Sequence, residues 1–280
     1  VVRPPGAPAG PARGPGARVC LPHYIARRMI SESTFLLWIA IWTGLGLCTF
    51  VLLQFVTAPF GRHSRKGWGP TLPSRLAWII MEFPPVSLFP LLFFLGPTEK
   101  TSLHYLFFAL YSGHYLYRDL IYPFRIRTAG KRMPWAVCAS GVFFNLVNVS
   151  IIGGWLGWFA RFDANWWTSP QLIGGLSLFF IGFALHFHSD HILIGLRDGN
   201  DTGYKIPVGG AFRWISCPNH LGEILQWAGF ALAAWHPAAL SFAVWTAANL
   251  LPRAVAHHEW YLREFPEYPP ERKAVLPGIW

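Results

Sequence analysis

The chain has 280 residues, of which 53% are hydrophobic, 13% are charged and 15 are Trp. A soluble domain carries about a quarter charged residues, so this composition excludes an ordinary water-soluble fold and indicates an all-α integral membrane protein. The net charge of +10 does not imply nucleic acid, because Lys and Arg fall in short clusters between apolar runs, as topology signals do. Residues 1–20, rich in Pro, Gly, Ala and Arg, lack the apolar core of a signal peptide. With a short lead-in over 21–32 they are expected to form a disordered tail.

Seven spans near the bilayer length follow, at about 33–57, 74–95, 101–122, 134–160, 170–194, 220–236 and 238–259. The loops between them are short, so 33–280 reads as a single seven-helix domain with antiparallel neighbours. Loop 58–73 carries Arg62, Arg65 and Lys66, and loop 123–133 carries Arg125, Arg127, Lys131 and Arg132. Loop 195–219 has Arg197, Lys205 and Arg213, and the C-terminal segment has Arg263, Arg272 and Lys273. The alternate loops carry only Lys100 and Arg161. Basic loops stay inside, which puts the C-terminus in the cytoplasm and the N-terminus outside. The five Arg before residue 29 argue the other way, but the four internal segments agree with one another.

On this topology the intramembrane polar groups gather at one level. Glu82 lies about 12 Å and Tyr115 about 10 Å from the cytoplasmic end of adjacent spans, at 1.5 Å per residue. Arg118 and Tyr122 follow Tyr115 at i+3 and i+7. His186 with Asp190, and Asn219 with Glu223, stand at i,i+4; Arg253, His257 and Tyr261 stand at i, i+4 and i+8. Ionisable groups at membrane depth are costly, and polar groups converging from five helices imply a buried functional site. Trp78 and Phe144 are candidates to line an apolar pocket beside it. The Pro84–Pro85 pair is expected to interrupt the second span and to free backbone groups near Glu82.

A carboxylic acid beside a phenol can hold an enolate oxygen, which suits hydride addition to an enone. The hydride would come from a cofactor whose phosphates need Arg and whose ribose and amide need Asp, Asn, Glu and Tyr. No dinucleotide-binding G-x-G-x-x-G follows a strand, and no P-loop occurs, so helix ends and loops must hold any nucleotide.

The segments MEFPP (81–85), HYLYR (114–118), HSDHIL (188–193), GYKIPVGGAF (203–212), PNHLGEILQWAGFAL (218–232) and EFPEYPPERKAVLPGIW (264–280) occur in this order. Through them, residues 73–280 resemble membrane steroid 5α-reductases, in the form expected of a bacterial inner-membrane enzyme. The resemblance implies reduction of the Δ4 double bond of 3-oxo steroids by NADPH. Glu82 and Tyr115 would hold the 3-keto oxygen, and Trp78 would line the steroid pocket. Arg118, Tyr122, Asp190, Arg197, Tyr204, Asn219, Glu223, Arg253, His257 and Tyr261 would surround NADPH. His186 stands where the animal enzymes have Asn, and Met81 stands where they have Gln, removing a polar neighbour of Glu82. The expected partners are an apolar enone substrate and membrane lipid, with no protein partner and no metal.

Three other readings compete. Residues 218–223 also resemble isoprenylcysteine carboxyl methyltransferases, but methyl transfer to a carboxylate needs no enone-polarising acid. The 11 His prompt a di-iron hydroxylase, yet the H-x-x-H-H spacing is missing around His257–His258. A heptahelical receptor rests on span number alone.

Overall fold

The computed structural model describes residues 30–128, 130–196 and 203–278. The expected tail therefore lies almost wholly outside the described residues, and so does Arg197. Among the described residues the main helices are seven: α1 (Glu32–Phe55), α2 (Ser74–Leu95), α3 (Ser102–Leu116), α4 (Trp135–Gly154), α5 (Pro170–Gly195), α6 (Pro218–Ala234) and α7 (Pro237–Glu264). Helix α3 continues through a π-helical stretch, Tyr117–Ile121, into one more α-turn, Tyr122–Arg125, and α4 continues through another, Trp155–Phe159. Pro at the first turn of α5, α6 and α7 sets their starts, where its missing N–H costs nothing. Ser31 and Ser169 cap α1 and α5 by accepting from Thr34 N and Leu172 N.

Among the described residues four helices, α1, α2, α4 with its extension, and α5, are long and apolar enough to cross a membrane. Helices α3 and α6 are short, with 15 and 17 residues, and α7 is polar towards its end.

Helix α2 is not interrupted by its prolines, contrary to the expectation from sequence. It runs unbroken through Pro84, Pro85 and Pro90. Pro85 has no N–H to donate to the carbonyl four residues back, that of Met81. Asn145 of α4 donates to that oxygen at 2.7 Å instead. A backbone group is thus freed beside Glu82, as expected, but a neighbouring helix takes it up and the helix survives. Gly141 of α4 makes room for the Met81 side chain at the same crossing.

Helices α5 and α6 touch backbone to backbone. A Cβ on Gly182 would overlap Gln226 N, and one on Gly222 would overlap His186 N. This contact is what brings His186 and Asp190 alongside Asn219 and Glu223. Helix α1 is fastened to α7 by Trp42 and Trp245, stacked at 4.5 Å, with Trp245 Nε1 donating to Trp42 O at 2.8 Å.

The basic segments meet at one end of the bundle. Strands β1 (Thr71–Pro73) and β2 (Arg132–Pro134) pair antiparallel there. Ser216 N and Cys217 N donate to Lys273 O and Ala274 O, tying the C-terminal segment to the start of α6.

Candidate active site

A polar cavity of about 300 Å³ opens within this end of the bundle. Of the residues singled out from sequence, Trp78, Arg118, Tyr122, Tyr204, Asn219, Glu223, Arg253 and His257 stand on its wall. His186, Asp190 and Tyr261 lie behind that wall. His186 Nε2 meets Asp190 Oδ2 at 3.0 Å, and Asn219 Nδ2 donates to Asp190 Oδ1 at 3.3 Å. Tyr261 stacks on Tyr268 at 5.0 Å and lies under Arg62.

Arg118 joins the elements. Its guanidinium lies 3.9 Å from Asp190 and 4.0 Å from Glu223, and over the rings of Trp78 and Tyr122 at 4.8 and 5.1 Å. Trp78 Nε1 donates to the Arg118 carbonyl at 3.1 Å. This bond holds α2 against the π-helical stretch of α3, and it places Trp78 at the rim of the polar cavity.

Glu82 and Tyr115 are buried and are not on the cavity wall. They lie within electrostatic reach of each other, and both feel Glu223, which is on the wall. Glu82 Oε2 accepts from Asn145 Nδ2 at 3.4 Å, so a polar neighbour comes from α4 where position 81 offers none. Tyr115 packs beside His114 and Trp227. His114 Nδ1 in turn meets Gln226 Nε2 at 3.1 Å.

A separate apolar cleft of about 690 Å³ lies between α1, α2 and α4, lined by Phe35, Trp38, Trp42, Leu92, Phe143 and Val147 among others. Phe144 is not on its wall; its ring packs against Trp42 and Trp245.

A sequence model of the family described as 3-oxo-5-alpha-steroid 4-dehydrogenase matches residues 131–280. The chain belongs to this family. Steroid 5-alpha-reductase DET2 of Solanum lycopersicum is 40% identical over 236 residues, covering 83% of this chain and 91% of that protein. The 3-oxo-5-alpha-steroid 4-dehydrogenase 1 of Bos taurus is 38% identical over 240 residues, and that of Homo sapiens 37% over 237, covering 84% of this chain in each case and 93% and 91% of those proteins. This family member is therefore an oxidoreductase of steroid metabolism, and its apolar helices make it an integral membrane protein.

Several polar residues in and around the cavity escape a reading by spacing. Arg62 lies over the rings of Tyr204, Trp260 and Tyr261 at 5.2, 4.8 and 4.5 Å. In the sequence it is one loop cation among several. Asn145 and Gln226 sit singly in apolar helices, and only the packing reveals their partners. Cys217 and His220, three residues apart at the start of α6, and His257 of α7 bring ligand atoms within 4.8 Å of one another. The charges of Arg62 and Arg253 reach His257, and such surroundings favour an anion over a metal cation there. His63, in the loop after α1, stacks on His257 at 5.1 Å, and burial with the nearby Arg62 and Arg253 pushes its pKa down to about 4.

Proposed function

We propose that this family member reduces the Δ4 double bond of 3-oxo steroids to 5α-3-oxo steroids, with NADPH as reductant. The observation that carries the reading is a buried carboxyl group and a buried phenol, Glu82 and Tyr115, beside a cavity rich in cationic nitrogen. Arg62 Nη1, His63 Nε2 and His220 Nδ1 are buried with no protein hydrogen-bond partner, and all three residues line this cavity. Arg62 Nη1 can only donate, and each ring nitrogen donates when it carries its imidazole's proton; phosphate oxygens meet that need. Asn219 and Glu223 offer a donor and an acceptor to ribose hydroxyls and a carboxamide. The residues present fit the cofactor.

When bound, NADPH supplies a hydride to C5 of the steroid. The chain's own part is to hold and polarise the 3-keto oxygen. Glu82, as a carboxylic acid, and Tyr115 both donate to that oxygen. Negative charge grows on the oxygen as C5 is reduced, so these two bonds strengthen towards the transition state and lower the barrier. The enolate then takes a proton at C4, supplied from solvent, so that hydride and proton together saturate the double bond. Asn145 orients Glu82, and Arg118 holds Asp190 and Glu223 at the border between the two halves. Because the site is buried, water is kept from the oxygen during the reaction.

The proposal includes seven spans with the basic end in the cytoplasm, where the reduced nucleotide is found. Alternating excess of Lys and Arg in the loops supports this arrangement.

The test is direct. Protein purified in detergent is mixed with NADPH and progesterone, nicotinamide absorbance is followed, and the product is identified. A 5α-reduced steroid supports the whole reading. NADPH binding without turnover of any Δ4-3-oxo steroid would refute the substrate and point to another enone lipid; no NADPH binding by folded protein would refute the cofactor.

A further inference from the structure

Tyr111 stands one helical turn before Tyr115 on α3, and no surface of it is exposed. Its ring packs at 4.8 Å from Tyr115. On its other sides lie the rings of Phe89, Trp227, Phe230 and Phe242, at 4.3 to 6.4 Å. Phenylalanine would fill this apolar shell equally well. The hydroxyl is buried and makes no well-formed hydrogen bond. The polar groups whose influence reaches this hydroxyl are those of Tyr115 and Glu82. A buried hydroxyl without a partner costs about 1–3 kcal/mol. An unneeded phenolic oxygen at this place would therefore weaken the fold with nothing in return.

We propose that Tyr111 is a positioning residue for the reduction: once Tyr115 engages the 3-keto oxygen, the Tyr111 O–H, unpaired in this structure, donates to Tyr115 Oη and completes a relay from Tyr111 through Tyr115 to that oxygen. The inference rests on the enone-reductase reading given above. When Tyr115 donates to the oxygen of the forming enolate, its own oxygen becomes a better acceptor. The bond from Tyr111 then tightens in step with the charge, so it acts on the transition state more than on the bound substrate. Tyr111 needs no contact with steroid or cofactor for this. Its helical offset of four residues keeps the two phenols on one face of α3 whatever occupies the pocket.

The experiment compares Tyr111→Phe, Tyr115→Phe and the double variant with the wild-type enzyme in detergent. Tyr111→Phe is expected to keep its thermal midpoint or raise it, because a poorly bonded buried hydroxyl is lost and the ring is kept. Its kcat is expected to fall about tenfold, with KM for steroid and Kd for NADPH changed less than about twofold. In the Tyr115→Phe background the same substitution should cost nothing further, since the relay has already been cut. A second readout needs no turnover: 3-fluorotyrosine placed at position 115 reports its hydroxyl environment by its fluorine chemical shift. That shift should move between wild type and Tyr111→Phe. An unchanged kcat, a full additional loss in the double variant, or an unmoved fluorine signal would each overturn the proposal. Wild-type protein inactive on every Δ4-3-oxo steroid would refute the substrate reading instead, while the fluorine signal would still decide whether the two phenols are coupled.

Discussion

The bond from Asn145 to the Met81 carbonyl invites a test that separates its structural part from its chemical part. Asn145→Ala removes the donor that replaces the N–H missing at Pro85, and it leaves the part-buried Met81 O unpaired. An unsatisfied buried group costs about 1–3 kcal/mol. At about 2–4 °C per kcal/mol for a chain of about this size, the thermal midpoint should fall by roughly 2–12 °C. The same substitution removes the 3.4 Å contact to Glu82 Oε2, so steroid turnover should fall as well. Adding Pro85→Ala restores an N–H four residues beyond Met81, and α2 can then satisfy the carbonyl itself. The double variant should therefore regain most of the lost midpoint, read by intrinsic tryptophan fluorescence in detergent. It should regain little of the turnover, because Glu82 still lacks its neighbour. If Pro85→Ala rescues none of the midpoint, the carbonyl is not what Asn145 stabilises and the argument fails.

Three shorter tests follow. Glu82→Gln should bind NADPH as the wild type does and lose about 10²–10³-fold in turnover, the usual scale for a lost oxyanion donor; turnover within about threefold of wild type would remove Glu82 from its role as acid. Gly222→Ala should destabilise by the upper end of the about 1–3 kcal/mol seen for overpacking, because its Cβ would meet the backbone at His186, and NADPH affinity should fall with it; an unchanged midpoint would contradict the close contact of α5 and α6. His63 has its pKa held down to about 4, by burial first and then by Arg62 and Arg253, whereas an unfolded histidine titrates near about 6.5. Between those values the unfolded chain binds the extra proton, so His63 lowers stability as pH falls from about 6.5 towards about 4. Over that range the wild-type midpoint should drop further than that of His63→Gln, and equal drops would mean that His63 protonates freely in the fold.

The helices were legible because apolar runs of bilayer length, punctuated by Pro and basic clusters, leave few alternatives. A helix occupies each expected range, four of them long and apolar enough to cross a membrane among the described residues, and α2 and α5 start at residues 74 and 170 as expected. The cavity wall was legible for a different reason: a polar residue inside an apolar run is conspicuous, and Arg118, Asn219, Glu223 and Arg253 are of that kind. What could not be read were interactions made by groups without such contrast. Asn145 has no sequence partner, since the group it serves is a carbonyl that only Pro85 leaves open. Tyr111 is one aromatic among many in α3, and its environment is set by rings from α2, α6 and α7. The uninterrupted α2 also needed the structure, because the outcome at a Pro pair depends on whether a neighbouring helix supplies a donor. Phe144 was the residue expected on an apolar pocket, and its neighbour Phe143 is the one that lines the apolar cleft.

Arg118 is where the two halves of the site depend on each other. Its distances of 3.9 and 4.0 Å to Asp190 and Glu223 are ion-pair distances, longer than the about 2.7–2.9 Å of a charge-assisted hydrogen bond. The positive charge therefore balances the two acids while the planar N–H groups are not committed to them. Two requirements can be separated by substitution. Balancing buried acids needs only a cation, whereas gripping a phosphate or carboxamide at two points needs the guanidinium fork. Arg118→Met should leave Asp190 and Glu223 uncompensated and fail to give folded protein, since breaking a buried pair costs about 3–5 kcal/mol. Arg118→Lys should keep the fold, with a midpoint within about 5 °C of wild type, because the charge survives. It should nevertheless weaken NADPH binding about tenfold, the equivalent of about 1.4 kcal/mol, as measured by nicotinamide fluorescence titration. Wild-type affinity in Arg118→Lys would mean that charge alone is used at this position. A stable Arg118→Met protein would mean that the two acids are not held by this guanidinium, and that the cavity and the acid pair stand independently.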